Sequence, residues 1–199
     1  MIKAIVFDIG GVLDKGHVKN YYQEMCRELG IDKKRFDKAY WKYGKKAVVG
    51  KLSGKEFVLK VARELGINSE IMTKSWVEHK REDLFLDKKV ESVIKKLKKN
   101  YIVATLTNVT SLNQKLREEK GFYNLFSVKV CSCIDGVCKP HVNAYKLMIK
   151  KIKIKPDEAV FIDDNPKCLI PAKKLGMKVI LFKSATQLKK NLKKLGVKL

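Results

Sequence analysis

Three observations predict an α/β fold: a Rossmann-like parallel sheet core carrying an inserted all-helical cap. The chain opens on a short apolar run, Ala4 to Phe7, that stops at Asp8 and two glycines. From Asp87 to the end, helical and β-branched stretches alternate. Between these two parts, residues 16–81 carry helical periodicity alone. Alternation of strands and helices implies a parallel sheet with right-handed crossovers. The predicted division is therefore a core of residues 1–15 and 82–199, interrupted by the helical insertion 16–81.

Each element has its own local reason. An apolar run as short as Ala4–Phe7, bounded by turn residues, reads as a buried parallel strand. Asp8 then stands at the carboxyl end of that strand, where open α/β sheets place their ligands. Gly10 and Gly11 allow a sharp turn and close approach to a ligand. Val18 to Leu29 carries a helical stripe of Tyr21, Tyr22, Met25, Cys26 and Leu29. Gly30 offers a C-cap, and Asp32 an N-cap for the following helix. Arg27-Glu-Leu-Gly-Ile-Asp32 is echoed by Arg63-Glu-Leu-Gly-Ile-Asn68. The echo is read as the shared grammar of two helical hairpins, being too short for a solenoid. Tyr40, Trp41, Tyr43 and Trp76 are expected in the core of the insertion.

The later elements follow in order. Asp87–Lys99 is a helix with Val90, Val93, Ile94 and Leu97 on one face, and Tyr101–Leu106 a strand ending on Thr107-Asn108. Ser111–Lys120 reads as a helix, Val128–Cys131 as a strand and His141–Ile152 as a helix. Ala159–Ile162 is a strand ending on Asp163-Asp164. Pro166 suits the first turn of the next helix, which Gly176 terminates. Val179–Phe182 and Thr186–Leu195 close the chain as strand and helix.

Composition narrows the class. A chain of 199 residues with 45% hydrophobic residues can bury a full core. No stretch approaches the roughly 18 apolar residues of a membrane span. Asp8 interrupts any signal-like apolar run, so a cytoplasmic location without membrane association is expected. Five cysteines, an odd number, point to thiols rather than a disulfide framework. The 44 Lys and Arg against 21 Asp and Glu give a formal charge of +23. Such a field attracts small phosphorylated molecules and, non-specifically, nucleic acid, without choosing between them.

In a parallel sheet the strand ends share one edge. Asp8, Thr107-Asn108, Asp163-Asp164 and the loop residue Lys139 then converge. Clustered carboxylates repel unless a cation sits among them, and hard oxygen ligands suit Mg²⁺. A carboxylate nucleophile, a metal, a hydroxyl and a lysine together match phosphoryl transfer through an aspartyl-phosphate.

Four segments in order carry a resemblance: Val6-Phe-Asp-Ile-Gly-Gly-Val-Leu13, Leu106-Thr-Asn108, Lys139-Pro140, and Phe161-Ile-Asp-Asp-Asn165 running on to Ala172-Lys-Lys-Leu-Gly-Met177. The chain resembles the haloacid dehalogenase superfamily from Ile2 to about Phe182. Its nearest look is to the Asp-x-Gly phosphatase-like subgroup with a C1-type helical cap, and to the phosphatase half of soluble epoxide hydrolases. The resemblance implies a Mg²⁺-dependent phosphatase acting on a small phosphorylated metabolite. Asp8 would be nucleophile and metal ligand, with the Gly10 carbonyl, Asp164 and Asp163 completing the protein ligands. Thr107 and the Asn108 backbone would hold phosphoryl oxygens, and Lys139 would neutralise charge between Asp8 and phosphate.

One position departs from that pattern. Phosphatases of the superfamily usually carry a second Asp two places after the nucleophile, as acid and base, and here it is Gly10. Loss of a positioned acid/base typically costs about 10²–10⁴ in rate. The departure supports a rival reading: a catalytically weak binding or regulatory protein that meets nucleic acid or another anion through a basic face. Asp14, His17 and His141 are candidate substitutes for the acid, each weighed against ordinary surface or capping roles. Retention of Asp163 and Asp164 argues against dehalogenation. Cys131, Cys133 and Cys138 fit no common zinc spacing. The runs Lys95–Lys99, Lys150–Lys155 and Lys173-Lys174 fall at predicted helix C-termini, where they complement helix dipoles.

Overall fold

The computed structural model describes residues 1–16 and 21–199. Five parallel strands, β1 (Ala4–Phe7), β2 (Ile102–Thr107), β3 (Val128–Cys131), β4 (Ala159–Asp163) and β5 (Lys178–Leu181), form one sheet in the order β3-β2-β1-β4-β5. Strand alternation sends Ile5 and Phe7 to one face and Ala4 and Val6 to the other. The first face is covered by α5 (Lys88–Leu97) and α10 (Ala185–Lys194), through Val90, Val93, Ile94, Leu97, Leu188 and Leu192. The second is covered by α8 (Val142–Ile152) and α9 (Pro166–Lys174), through Ala144, Tyr145, Met148 and Ala172. β1, buried on both faces, is apolar at every position, as a central parallel strand must be.

After β1 the chain builds outward through β2 and β3, then returns to β1's other side for β4. The strand order reverses between β1 and β4, and the ends of those two strands hold Asp8 and Asp163-Asp164. Ligands of open α/β sheets bind at such a reversal.

Between β1 and β2 lie α1 (Tyr21–Glu28), α2 (Lys33–Val48), α3 (Gly54–Leu65) and α4 (Ser69–Asp83), ahead of α5. Asp32, Ser53 and Asn68 cap α2, α3 and α4 with side-chain oxygens, and Ser53 with Glu56 makes a reciprocal capping box. The four helices bury a third core of their own, centred on Phe36, Phe57, Met72 and Trp76. Asp14 bridges Leu86, and Asp87 N donates to the Leu13 carbonyl, so the outgoing and returning chains lie side by side. The helices meet the sheet domain closely: a Cβ on Gly54 would lie 2.9 Å from Leu112 at the start of α6 (Ser111–Glu119).

Most expected elements are found within a residue or two of their predicted ends, and the remaining differences are physical. Ser132–Asp135 is a short helix, α7, that local pattern does not announce because four residues span barely one turn. Trp41 is 63% exposed, which corrects its expected place in the helical core. Tyr40 and Tyr43 are half-buried at that core's margin, and Trp76 alone of the four is enclosed. The helix leaves room on one stripe only, and Trp41, next in sequence to Tyr40, points off it. The lysine runs do end helices: Lys95 and Lys96 close α5, Lys150 and Lys151 α8, Lys173 and Lys174 α9. No helix among the described residues is long and apolar enough to cross a membrane.

Candidate active site

The carboxyl edge of the sheet gathers the predicted residues. Asp8 follows β1 directly, and its backbone N–H donates to the Ile162 carbonyl of β4 at 2.9 Å, which sets it level with Asp163. Oxygen atoms of Asp8, Asp163 and Asp164 all lie within 4.8 Å of one another. Among the described residues this is the one grouping of three His, Cys, Asp or Glu side chains able to hold a metal. The cysteines form no such group; all five are free thiols, with Cys26, Cys131 and Cys168 buried.

Lys139 is brought into the cluster by Asn108. The Asn108 side chain donates to the Lys139 carbonyl at 2.8 Å and accepts from the Lys139 N–H at 2.9 Å. This two-bond clasp fixes the Lys139 backbone, from which the ammonium reaches the cluster. Its Nζ reaches Asp163 Oδ2 at 2.6 Å and Asp8 Oδ1 at 3.0 Å, with the residue only 5% exposed. The clasp gives the Asn108 side chain a structural task that the sequence did not indicate.

The carboxylates differ in what remains free. Asp8 Oδ1 also accepts from the Ile9 N–H at 2.7 Å, while Asp8 Oδ2 has no hydrogen bond among the described residues. Both oxygens of buried Asp163 are engaged, one by Lys139 and one by the Asn165 N–H at 2.8 Å. Asp164 is exposed at the edge. Gly11 makes room for it: at φ +73° the backbone is left-handed, and a Cβ there would stand 2.1 Å from Asp164 Oδ2.

The charges do not balance. One ammonium faces three carboxylates. Burial raises the Asp163 pKa above the ordinary carboxylate range, with Asp8 adding to it and Lys139 opposing. Burial also raises Asp164, aided by repulsion from Asp8 and Asp163. Burial works against the Lys139 charge, yet Asp8 and Asp163 outweigh it and its pKa rises. A divalent cation among the oxygens would remove the remaining repulsion, and all-oxygen donors suit Mg²⁺. The residues present therefore fit that ion.

Thr107, the last residue of β2, is buried beside the cluster. Its hydroxyl accepts a hydrogen bond from Arg117 Nη1 of α6 at 3.3 Å. Arg117 Nη2 donates to Asp14 Oδ2 at 3.1 Å. Lys80 of α4 stands 3.5 Å from the same oxygen and 3.1 Å from Asp83 Oδ2. Asp14 is thus neither a surface residue nor a helix cap, contrary to both bland expectations. His141 does cap: it precedes α8, and its Nδ1 accepts from the Asn143 N–H. His17 lies outside the described residues. Lys80 and Arg117 escaped sequence reasoning because their significance comes from contacts to Asp14 across 66 and 103 residues of chain, and Asp83 because it enters through its pair with Lys80.

Comparison with known proteins identifies the family and the fold. The sequence model of a hydrolase family, haloacid dehalogenase-like hydrolase, matches residues 2–176. The bifunctional epoxide hydrolase 2 of Sus scrofa is 26% identical over 221 aligned residues, covering all of this chain and 40% of that protein. The chain thus spans well under half the length of that relative. A sesquiterpene phosphatase of Aspergillus oryzae is 26% identical over 178 residues, covering 88% of this chain and 87% of that one. Among solved structures, a HAD family enzyme of Bacteroides thetaiotaomicron, in complex with magnesium and inorganic phosphate, superposes with a TM-score of 0.77. It is 19% identical and covers 92% of this chain and 95% of that one, a likeness of fold.

Proposed function

This chain belongs to the haloacid dehalogenase-like hydrolases, and we propose that within them it is a Mg²⁺-dependent phosphomonoesterase acting on a small phosphorylated metabolite, with α1–α4 as a C1-type cap. The observation that carries the reading is the position of Lys139 Nζ, shared between Asp8 and Asp163 beside the third carboxylate, Asp164. A purely structural ion pair needs one acid for one base. Three acids around one buried ammonium are a standing cost unless the site receives further positive charge. The likeness to a phosphatase of similar length supports the phosphoryl reading.

In this mechanism Asp8 Oδ2, the oxygen with no hydrogen bond among the described residues, attacks phosphorus in line. The phosphorus–oxygen bond to the leaving group breaks, and the leaving oxygen keeps its electron pair. Water then attacks the same phosphorus, the Asp8–phosphorus bond breaks, and phosphate and free carboxylate result. Lys139 offsets negative charge between nucleophile and phosphoryl group, and the Thr107 hydroxyl and Asn108 N–H hold the phosphoryl oxygens. Such fixed electrostatics supply most of the protein's part in phosphoryl transfer. Asp8, Asp164, Asp163 and the Gly10 carbonyl would hold Mg²⁺, which when bound supplies charge neutralisation at the phosphoryl oxygens.

Hydrolysis of an aryl phosphate, with Mg²⁺ or with EDTA, by the wild type and Asp8→Asn tests the reading. Metal-dependent turnover that Asp8→Asn abolishes supports it. An inactive, folded wild type sinks it and leaves the rival, a weakly catalytic binding protein. That rival is favoured by one observation, the absence of a carboxylate at Gly10, and salt-sensitive nucleic-acid binding without turnover would support it.

A further inference from the structure

Gly10 is not simply an empty position. The Cβ that any other residue would carry there would lie 3.4 Å from Arg117 Nη2. A guanidinium therefore occupies the space beside the backbone two places after the proposed nucleophile. It is buried, and it is held from two sides. Nη2 donates to Asp14 Oδ2 in the loop after β1, and Nη1 donates to Thr107 Oγ1 at the end of β2.

The direction of the second bond matters. A guanidinium has donors and no acceptor, whereas a hydroxyl has two lone pairs and one proton. Arg117 must donate to Thr107, so it takes up a lone pair and leaves the proton free. Among the described residues this is the only hydrogen bond that the Thr107 hydroxyl makes. A β-branched side chain with its oxygen tethered is confined to one rotamer, and its O–H then points away from the donor that tethers it.

Burial of a charge this deep is costly unless it is paired. Among the described residues, Arg117 and Lys80 pair with Asp14 and Asp83. These four residues form a group of their own next to the carboxylate cluster, and Asp8 also favours the charged form of Arg117. The group's four members come from three places: the loop after β1, α4 of the helical unit and α6 of the sheet domain.

We propose that Arg117 is a positioning residue for phosphoryl binding: anchored by Asp14, it fixes the Thr107 hydroxyl with its proton turned towards the phosphoryl oxygens. The role rests on the phosphatase reading and extends it to a residue outside the four sequence segments. It also gives the missing carboxylate at Gly10 a physical partner. A Cβ at that place would just touch the guanidinium, so a longer side chain would meet it, and Asp14, four places on, supplies the counter-charge.

The test measures binding of inorganic phosphate in Mg²⁺ by calorimetry, together with kcat and KM for an aryl phosphate. The variants are Thr107→Val, the balanced pair Arg117→Met with Asp14→Asn, the same pair combined with Thr107→Val, and Arg117→Lys. Thr107→Val removes a direct phosphoryl donor and should lower kcat/KM about 100-fold. The balanced pair should weaken phosphate binding and kcat/KM about tenfold. Combined with Thr107→Val it should add nothing further, because Arg117 acts through that hydroxyl. Arg117→Lys keeps the charge, but its single ammonium lacks the fork that reaches both oxygens, so it should lose as much as the balanced pair. It also keeps the test decisive if the pair does not fold. Losses that multiply in the triple variant, or an Arg117→Lys enzyme equal to wild type, overturn the role of Arg117 and leave the phosphatase reading standing. A folded wild type that neither binds phosphate nor turns over overturns both.

Discussion

Lys139 Nζ lies 3.0 Å from Asp8 Oδ1, and the two residues are 131 positions apart in the chain. The contact is made by the sheet, which brings the end of β1 level with β4, and by Asn108, which clasps the Lys139 backbone. Lys139→Met should therefore fail twice. It removes the charge that offsets the approach of an anionic phosphate to Asp8, and it leaves three carboxylates without their ammonium. Breaking a buried pair from one side costs about 3–5 kcal/mol. Urea unfolding should report that loss without added metal, and saturating Mg²⁺ should restore part of the stability but not the turnover.

Asn108→Ala should act on the same lysine from a distance. The variant loses both bonds to the Lys139 backbone while leaving every charge in place. A drop in kcat of about tenfold or more, with stability lowered by about 1–2 kcal/mol, is the expected outcome. Steady-state kinetics and denaturation on one preparation would decide it. Unchanged kcat would show that Lys139 needs no clasp.

The sign of the charge at the carboxylate cluster can be read from stability. Asp163 and Asp164 have folded pKa values raised above their unfolded ones, so the folded state prefers them protonated. Their ionisation costs stability at neutral pH, and the cost fades as pH falls through the raised values. Asp164→Asn removes one negative charge and should raise the melting temperature of the metal-free protein. In the wild type, Mg²⁺ at about 100 times its Kd adds roughly 2.7 kcal/mol, a shift of about 5–10 °C for a chain of this size. Asp164→Asn should lose most of that shift. Differential scanning fluorimetry with Mg²⁺ and EDTA measures both effects.

Much of this site was readable before the structure, because most of its predicted members sit at strand ends and strands are announced locally. Asp8, Thr107 and Asp163 close apolar or β-branched runs, and parallel topology alone brings such ends together. Lys139 lies on a loop, where no periodicity marks it. Arg117 was unreadable. On α6 it follows Leu116 in a polar helix, and a guanidinium there reads as solvent-exposed. Only the three-dimensional approach of Asp14 and Thr107 buries it. The error over Trp41 has the same origin: an aromatic beside a core position suggests burial, and only the packed helices show which one turns inward.

The guanidinium beside Gly10 sets a limit on leaving groups. Arg117 cannot give up a proton at ordinary pH, so nothing at that position can protonate a departing alkoxide. Aryl or acyl phosphates, whose leaving groups depart as stable anions, should be cleaved at least about 100-fold faster than alkyl phosphates. Gly10→Asp should not close that gap. The new carboxylate would lie against Arg117 Nη2, which would hold it ionised and unable to act as an acid. A Gly10→Asp enzyme that hydrolyses alkyl phosphates as fast as aryl ones would show that Arg117 does not control that space.

Asp87 ties the two connections of the helical unit to the core, and its contribution should depend on pH in a defined direction. Its side chain caps α5 by accepting from the Lys89 and Val90 N–H groups at 2.8 and 3.1 Å, and it pairs with Lys15 at 2.9 Å. Its backbone N–H meets the Leu13 carbonyl, next to the bridge between Asp14 and Leu86. Burial raises its pKa, but Lys15 and the two cap N–H groups outweigh burial and leave it below the ordinary carboxylate value. A lowered folded pKa means stability that is fully present above the unfolded value, about 3.9, and lost as pH falls through the folded one. Asp87→Ala should cost about 1–2 kcal/mol at neutral pH, most of it from the cap, since half-exposed Lys15 adds little. Asp87→Asn keeps a capping oxygen and loses only the charge, so its smaller deficit should vanish in acid below the folded pKa. Urea titrations of the three proteins from pH 7 down through the acid range separate the contributions. A deficit for Asp87→Asn that is as large in acid as at neutrality would mean that the carboxylate charge is not what holds this junction.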